Sequence, residues 1–357
     1  MFPVESVSSQ LEALVATGVP GAVAVARGPS ARVQAAAGKA DVATGEPLTA
    51  EHRFRIGSVT KIFVSALVLQ LVTEGLLELD AEAAPFVEGI TIRQLLNHTS
   101  GLPDFMDDPV EFFEPYRRDP AHRWELGRQD ELKLVLERPR QFRPGEGWAY
   151  HGSNYIVVGL VVEQATGVPL REALRERVFE PLGLTRTDLV EGALRGDCAH
   201  GYIPPDNPIV PGEGEASVDV TELDLPFHRA GGGIVSTAGE VATMLQALLG
   251  GRFLPDHLRA QMLDAVDSDW AETDRYGLGI GEITALMDRQ RSPCGPAWGH
   301  IGFSLGYTTA ALSSEDGRRQ VVIWANGSAV SEEAEAAFWD VAGRLAWQLY
   351  CMSRLPA

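Results

Sequence analysis

The stretch FRIGSVTKIFVSALVLQLVTEG, residues 54–75, runs from a short polar entry into a long apolar segment and stops at a glycine. Ile62, Ala66, Leu69 and Val72 recur at helical spacing, which predicts a helix from about Ser58 with one buried face. In such a helix Ser58 and Lys61 stand one turn apart on the same side. A serine hydroxyl is a poor nucleophile until a base takes its proton. A lysine kept from water has a lowered pKa and can be that base, or relay to one. A helix N-terminus adds backbone N–H groups able to hold a developing oxyanion. Lysine occurs only at Lys39, Lys61 and Lys133 among 30 Lys and Arg residues, so each merits attention. The spacing alone is a weak signal, and an exposed serine beside a surface lysine is the competing reading.

Outward from this stretch, Leu11, Leu14 and Val15 predict a helix from Ser8 to Gly18. GAVAVARG (21–28) and ARVQAAAG (31–38), split by Gly28-Pro29-Ser30, read as a hairpin. From residue 76 to about 265 the pattern is mainly helix and loop, with helical runs at 91–99, 153–167, 170–183 and 237–251. Thr237 with Glu240 three residues later predicts a capping box for the last of these. Then come strand-like runs at 276–283, 297–303, 306–314 and 318–327, with Glu315-Asp316-Gly317 as a turn. An amphipathic helix over 331–351 follows, with Ala334, Ala337, Phe338, Val341, Leu345 and Leu349 on its apolar side. The expected fold is α+β. One antiparallel sheet, flanked by the terminal helices, is built from 1–75 plus 266–357, and a mainly helical domain, 76–265, is inserted. Clefts between such units commonly hold sites.

Composition narrows the function. The 357 residues are 45% hydrophobic and 22% charged, with net charge −19, as in an ordinary globular protein. An excess of 49 acidic over 30 basic residues argues against a nucleic-acid partner. No run reaches the ~18 apolar residues of a membrane span. Cys198, Cys294 and Cys351 are too few and too scattered to suggest a disulfide framework or a zinc site. The opening MFPVESVSSQLEAL has neither a basic n-region nor an apolar h-region, so a cytoplasmic location is expected.

Other chemistries fit less well. Gly302-Phe303-Ser304-Leu305-Gly306 matches the G-x-S-x-G elbow, but a strand-like run follows and no histidine lies beyond His300. Ser304 therefore reads as a loop or strand residue. No H-E-x-x-H or phosphate-cradling loop is present, so no metal and no cofactor are expected. His98 reads as a structural hydrogen-bonding residue.

Six blocks occur in order: FRIGSVTK (54–61), LLNHTSGLPDF (95–105), RPGEGWAYHGSNYIVVGLVVEQATG (143–167), AGGGIVSTAGEVATML (230–245), YGLGIG (276–281) and WGHIGFSLGYTT (298–309). Together they resemble the serine β-lactamase-related family of class C β-lactamases, D,D-carboxypeptidases, D-aminopeptidases, esterases and acyltransferases. The likeness spans about residues 10 to 350. It implies the sheet-plus-helical-domain fold, Ser58 as nucleophile, Lys61 as its proton-transfer partner and Tyr150 as the second-motif tyrosine. A phenol near pKa 10 becomes a usable base only beside positive charge, which Lys61 supplies. The three would titrate as a coupled unit, with no resting proton assigned to one of them. The same likeness implies an oxyanion hole from the N–H groups of Ser58 and Phe303, and a substrate-lining strand His300-Ile301-Gly302. Gly302 there lets substrate approach the backbone.

Two departures bear on substrate. The second motif, commonly Tyr-x-Asn, reads Tyr150-His151-Gly152, so an amide is missing unless Ser153 or Asn154 replaces it. In the third motif Ile301 stands where Thr or Ser is common, and His300 stands where lysine would be. A carboxylate held there would lack partners. The expectation is thus a serine acyl-enzyme hydrolase or acyltransferase acting on an ester, thioester or amide of a small molecule or peptide. Tyr150 or His300 would help activate water, or an amine or alcohol acceptor. The 204–214 loop and the surroundings of Trp124 and Trp148 would shape the pocket. A D,D-carboxypeptidase or β-lactamase remains an alternative, as does a non-catalytic ligand-binding member. Oligomeric state is not legible.

Overall fold

The computed structural model describes residues 4–29, 32–106, 112–119, 128–210, 216–223, 225, 229–270, 273–287, 290–327 and 332–352. The main sheet has eight strands: β1 (Gly21–Arg27), β2 (Arg32–Gly38), β3 (Val266–Asp267), β4 (Arg275–Tyr276), β5 (Gly281–Ile283), β6 (Ala297–Ser304), β7 (Tyr307–Ser313) and β8 (Gln320–Ala325). Their order is β2-β1-β8-β7-β6-β5-β4-β3, antiparallel throughout. The early hairpin thus joins the late strands, with Ala22 opposite Ala325 and His300 opposite Ala311.

Alternation along the strands divides the core between two faces. Ala22, Ala24, Ile301, Ala310 and Ile323 pack with Val7, Leu11 and Leu14 of α1 (Val4–Val15) and with Phe338, Leu345 and Leu349 of α5 (Glu332–Met352). Val23, Val25, Trp298, Val322 and Trp324 face the opposite layer. That layer contains α2 (Thr60–Thr73), α3 (Ser153–Thr166) and α4 (Ala238–Leu249). Both sheet faces are covered, so β7 and β8 are buried along their whole length. Among the described residues no helix is long and apolar enough to cross a membrane.

Several local expectations change. α2 is buried on all sides, not on one face, because it lies in the middle of the inner layer with Lys61 and Ser65 buried among apolar neighbours. Only half of the Thr237 capping box forms: the threonine accepts from Glu240 N–H, but the Glu240 carboxylate accepts from Arg186 N–H and the Thr187 hydroxyl. A full box closes instead on Thr91 and Gln94, ahead of the helix Ile92–Leu96. The 76–265 segment also contributes short strands, among them Ile234–Ser236, which pairs with Phe54–Arg55 on one side and with Asp188–Leu189 on the other in a minor sheet. On α5, Ala337 is exposed, whereas Trp339, Ala346, Trp347 and Tyr350 widen the buried side. Ser304 is the last residue of β6, as its sequence context predicts.

The cysteine expectation needs correction. Cys294 and Cys351 form a disulfide across 57 residues, tying the approach to β6 to the end of α5; Cys198 is free and buried. Distance along the chain concealed a pair that the sheet and the terminal helix bring together.

Candidate active site

Phe54–Arg55 aims the chain at the sheet. The Phe54 ring stacks on Trp324 of β8, centroids 4.1 Å apart and 8° from parallel, and Ile56 N–H donates to the Ile234 carbonyl. A single 3-10 turn, Gly57–Val59, then delivers Ser58 just ahead of α2. Two glycines allow this turn to touch β6. A Cβ on Gly302 would lie 2.1 Å from the Ile56 carbonyl oxygen. One on Gly57, whose φ is +53°, would lie 2.6 Å from the Phe303 carbonyl oxygen. The space expected beside Gly302 for substrate is therefore filled by the turn that carries Ser58. The same contact sets the Phe303 backbone beside that turn; the Phe303 side chain points elsewhere, edge-on to Trp339.

Lys61 Nζ lies 3.1 Å from Ser58 Oγ and donates to the Gly231 carbonyl at 2.8 Å. Burial lowers its pKa from 10.5 to about 7, against an opposing pull from the Asp104 charge. The Gly231 turn, Arg229–Gly232, is braced from α3 by the Arg229–Glu163 ion pair at 2.7 Å. Glu163 Oε1 also accepts from Leu170 N–H.

Tyr150 stands just before α3, its ring 4.9 Å from Lys61 Nζ. Trp270 stacks on that ring with centroids 4.4 Å apart, and the His98 ring is 4.4 Å away on centroids. His98, expected to be structural, organises this segment. Its backbone has a φ of +63°, its carbonyl accepts from Ala149 N–H, and its Nδ1 accepts from His151 N–H and from Asn154 Nδ2. Asn154 Oδ1 accepts from Ser100 at 2.5 Å. Asn154 is therefore buried in a network that ties α3 to the 97–102 loop, a correction to its expected substrate-binding place. At Gly152 any Cβ would meet the Phe105 ring at 2.9 Å, so an aromatic edge occupies the space where the related motif has an amide.

On β6, His300 faces Tyr150 at 3.5 Å (Oη to Nε2). It is fully buried, and desolvation, followed by the Lys61 charge, lowers its pKa to about 3. Nδ1 is within 2.5 Å of the Ile301 carbonyl and Nε2 within 2.9 Å of Tyr276 Oη. With both nitrogens engaged and protonation disfavoured, the expected role in activating an acceptor does not fit this imidazole. Ile301 is corrected too: strand alternation turns its side chain to the α1 and α5 side, away from Ser58. An isoleucine there removes no hydroxyl from the reaction face.

The structure thus gathers Ser58, Lys61, Tyr150, His300 and the Phe303 backbone, and sets Asn154 and the Ile301 side chain apart. Sequence reading missed Gly231, Tyr276, Trp270 and Asp104 as neighbours. Gly231, Tyr276 and Asp104 stand within quoted blocks; Trp270 has no sequence signal. Trp148 does pack beside Tyr150 and Tyr276, whereas Trp124 and residues 211–214 lie outside the described residues.

Comparison with known proteins bears on the family and the fold. Esterase EstB of Burkholderia gladioli is 31% identical over 313 residues, 75% of this chain and 76% of its own. The structure of D-amino acid amidase from Ochrobactrum anthropi SV3, complexed with L-phenylalanine amide, superposes with a TM-score of 0.83 at 26% identity, covering 99% of this chain and 100% of that one. A penicillin binding protein from Bacillus halodurans matches with a TM-score of 0.74 at 25% identity, over 92% of this chain and 97% of that one. The Beta-lactamase family model matches residues 7–344, and the chain belongs to that family.

Proposed function

We propose that this protein is a serine acyl-enzyme hydrolase or acyltransferase acting on an ester, thioester or amide of a small molecule or peptide, with Ser58 as nucleophile. The observation that carries the reading is Lys61: a buried amine 3.1 Å from Ser58 Oγ with its pKa lowered to about 7. An esterase and a D-amino acid amidase among the similar proteins agree with it.

Ser58 Oγ bonds to the substrate carbonyl carbon while its proton passes to neutral Lys61. The oxyanion is held by the N–H groups of Ser58 and Phe303, whose backbones the two glycines bring together. As the intermediate collapses, the bond to the leaving group breaks. Tyr150 gives that group its proton and is reprotonated from Lys61. Water, or an amine or alcohol acceptor, then releases the acyl group by the reverse transfers.

A second reading, acylation by a penicillin or by peptidyl-D-Ala-D-Ala, is favoured by the penicillin binding protein among the similar structures, and the Ile301 side chain, on the far face, does not count against a substrate carboxylate. The Cys294–Cys351 bridge weighs against the cytoplasmic expectation, since disulfides persist mainly in oxidising compartments. A non-catalytic role is opposed by the close approach of Ser58, Lys61 and Tyr150.

Intact-protein mass after exposure to a small activated ester and, separately, to a penicillin tests these readings, with Ser58→Ala as control. A Ser58-dependent acyl adduct or turnover with the ester alone supports an esterase, amidase or transacylase. A penicillin adduct on Ser58 supports the second reading. Substantial turnover by folded Ser58→Ala would sink the assignment.

A further inference from the structure

A neutral imidazole has one nitrogen that donates and one that accepts, and the partner of the first decides which is which. For His300 the partner of Nδ1 is the Ile301 carbonyl at 2.5 Å. A carbonyl only accepts, so Nδ1 carries the hydrogen and Nε2 presents a single lone pair. Two phenols face that lone pair, Tyr276 Oη at 2.9 Å and Tyr150 Oη at 3.5 Å. The shorter contact is the ordinary hydrogen bond, and the longer is at the limit of one. Tyr276 is fully buried, where desolvation pushes its phenol well above 10, so it stays a donor.

We propose that Tyr276 is a positioning residue: by donating to His300 Nε2 it prevents that nitrogen from capturing the Tyr150 hydroxyl, and leaves the Tyr150 proton available to the leaving group. The inference rests on the proton-transfer role given to Tyr150 above. Tyr150 has one hydroxyl hydrogen, and a hydrogen directed at His300 is withheld from the bond that is breaking. The Tyr150 ring is packed against Trp270 and His98, so what the choice of partner changes is the direction of the O–H rather than the place of the ring. The proton count stays balanced in either arrangement. The leaving group takes the Tyr150 proton, Lys61 returns the one from Ser58, and Tyr276 keeps its own.

Leaving-group chemistry separates this role from a packing one. An amine or alkyl alcohol needs a proton to depart, whereas an activated aryl oxide leaves as the anion. Tyr276→Phe keeps the ring and removes the donor. The expected result is a roughly ten-fold fall in kcat on an amide or alkyl ester, the effect of one lost hydrogen bond. KM should hold, and so should turnover of an activated aryl ester. Equal losses on both substrate types, or no loss on either, would overturn the proposal. The unmodified protein supplies a second test through the ring signals of 15N-labelled histidine, with His300 assigned by its absence in His300→Gln. A proton on Nδ1 and none on Nε2 from pH 6 to 9 is expected; an Nε2–H tautomer or an imidazolium overturns the proposal. If folded Ser58→Ala retained turnover, the acyl-enzyme reading would fall, while the nitrogen signals would still report whether His300 Nε2 carries the lone pair to which Tyr276 donates.

Discussion

Acylation should show an acid limb near neutral pH, and the position of Lys61 accounts for it. Burial lowers the pKa of this lysine from 10.5 to about 7. Each pKa unit is about 1.4 kcal/mol, so the site disfavours the ammonium by about 5 kcal/mol relative to water. At pH 7 about half of the Lys61 amines are then neutral, against about one in 3,000 for an ordinary lysine. Only the neutral amine can take the Ser58 proton. In steady-state hydrolysis of an uncharged activated ester, kcat/KM reports the ionisation of the free enzyme. It should be level above pH 8, bend near 7 and fall about ten-fold per pH unit below, reaching roughly one-hundredth of the plateau at pH 5. Asp104→Asn removes the charge that holds the ammonium in place, so the bend should move to lower pH. A profile level down to pH 5, or a bend near 10, would refute the argument. So would an upward move in the Asp104 variant.

Two further outcomes follow from the packing. Gly302→Ala places a methyl 2.1 Å from the Ile56 carbonyl oxygen, so the Ser58 turn must shift. Thermal unfolding should register a loss of about 1–3 kcal/mol and Ser58 acylation should slow further than stability alone explains; acylation at the native rate would contradict the seating of that turn. Cys351→Ser opens a 57-residue separation otherwise closed by the bridge, and the chain-entropy model puts the lost stability at about 4 kcal/mol. Denaturant unfolding measures it, and thiol titration of the native protein should find no reactive Cys294; a free thiol there would contradict the bridge.

Much of this protein could be read along the chain. The alternating runs at 21–38 and 297–325 give strands because side chains at every second position meet one face, and the two faces become the two cores. The one-turn spacing of Ser58 and Lys61 is legible because a helical turn is a local rule, whereas Tyr150 was read only from the resemblance of its block to the family. Residues whose meaning depends on what lies across a contact were read differently. Ile301 and Asn154 resemble substrate contacts in linear order. The pleat of β6 turns one away from Ser58, and the hydrogen bonds of His98 and Ser100 hold the other in the loop network. Gly302 was expected to make room for a ligand and instead makes room for Ile56.

The sequence by itself determined the order of the elements and the one-turn spacing of Ser58 and Lys61, because periodicity and spacing within one helical turn need no distant partner. Only the tertiary structure decided which residues share the reaction face, how far Lys61 is dried, which nitrogen of His300 holds its proton and which cysteines pair. Those properties belong to contacts between segments tens to hundreds of residues apart. Burial and hydrogen-bond geometry do not exist until the sheet and the inner helices have closed around them.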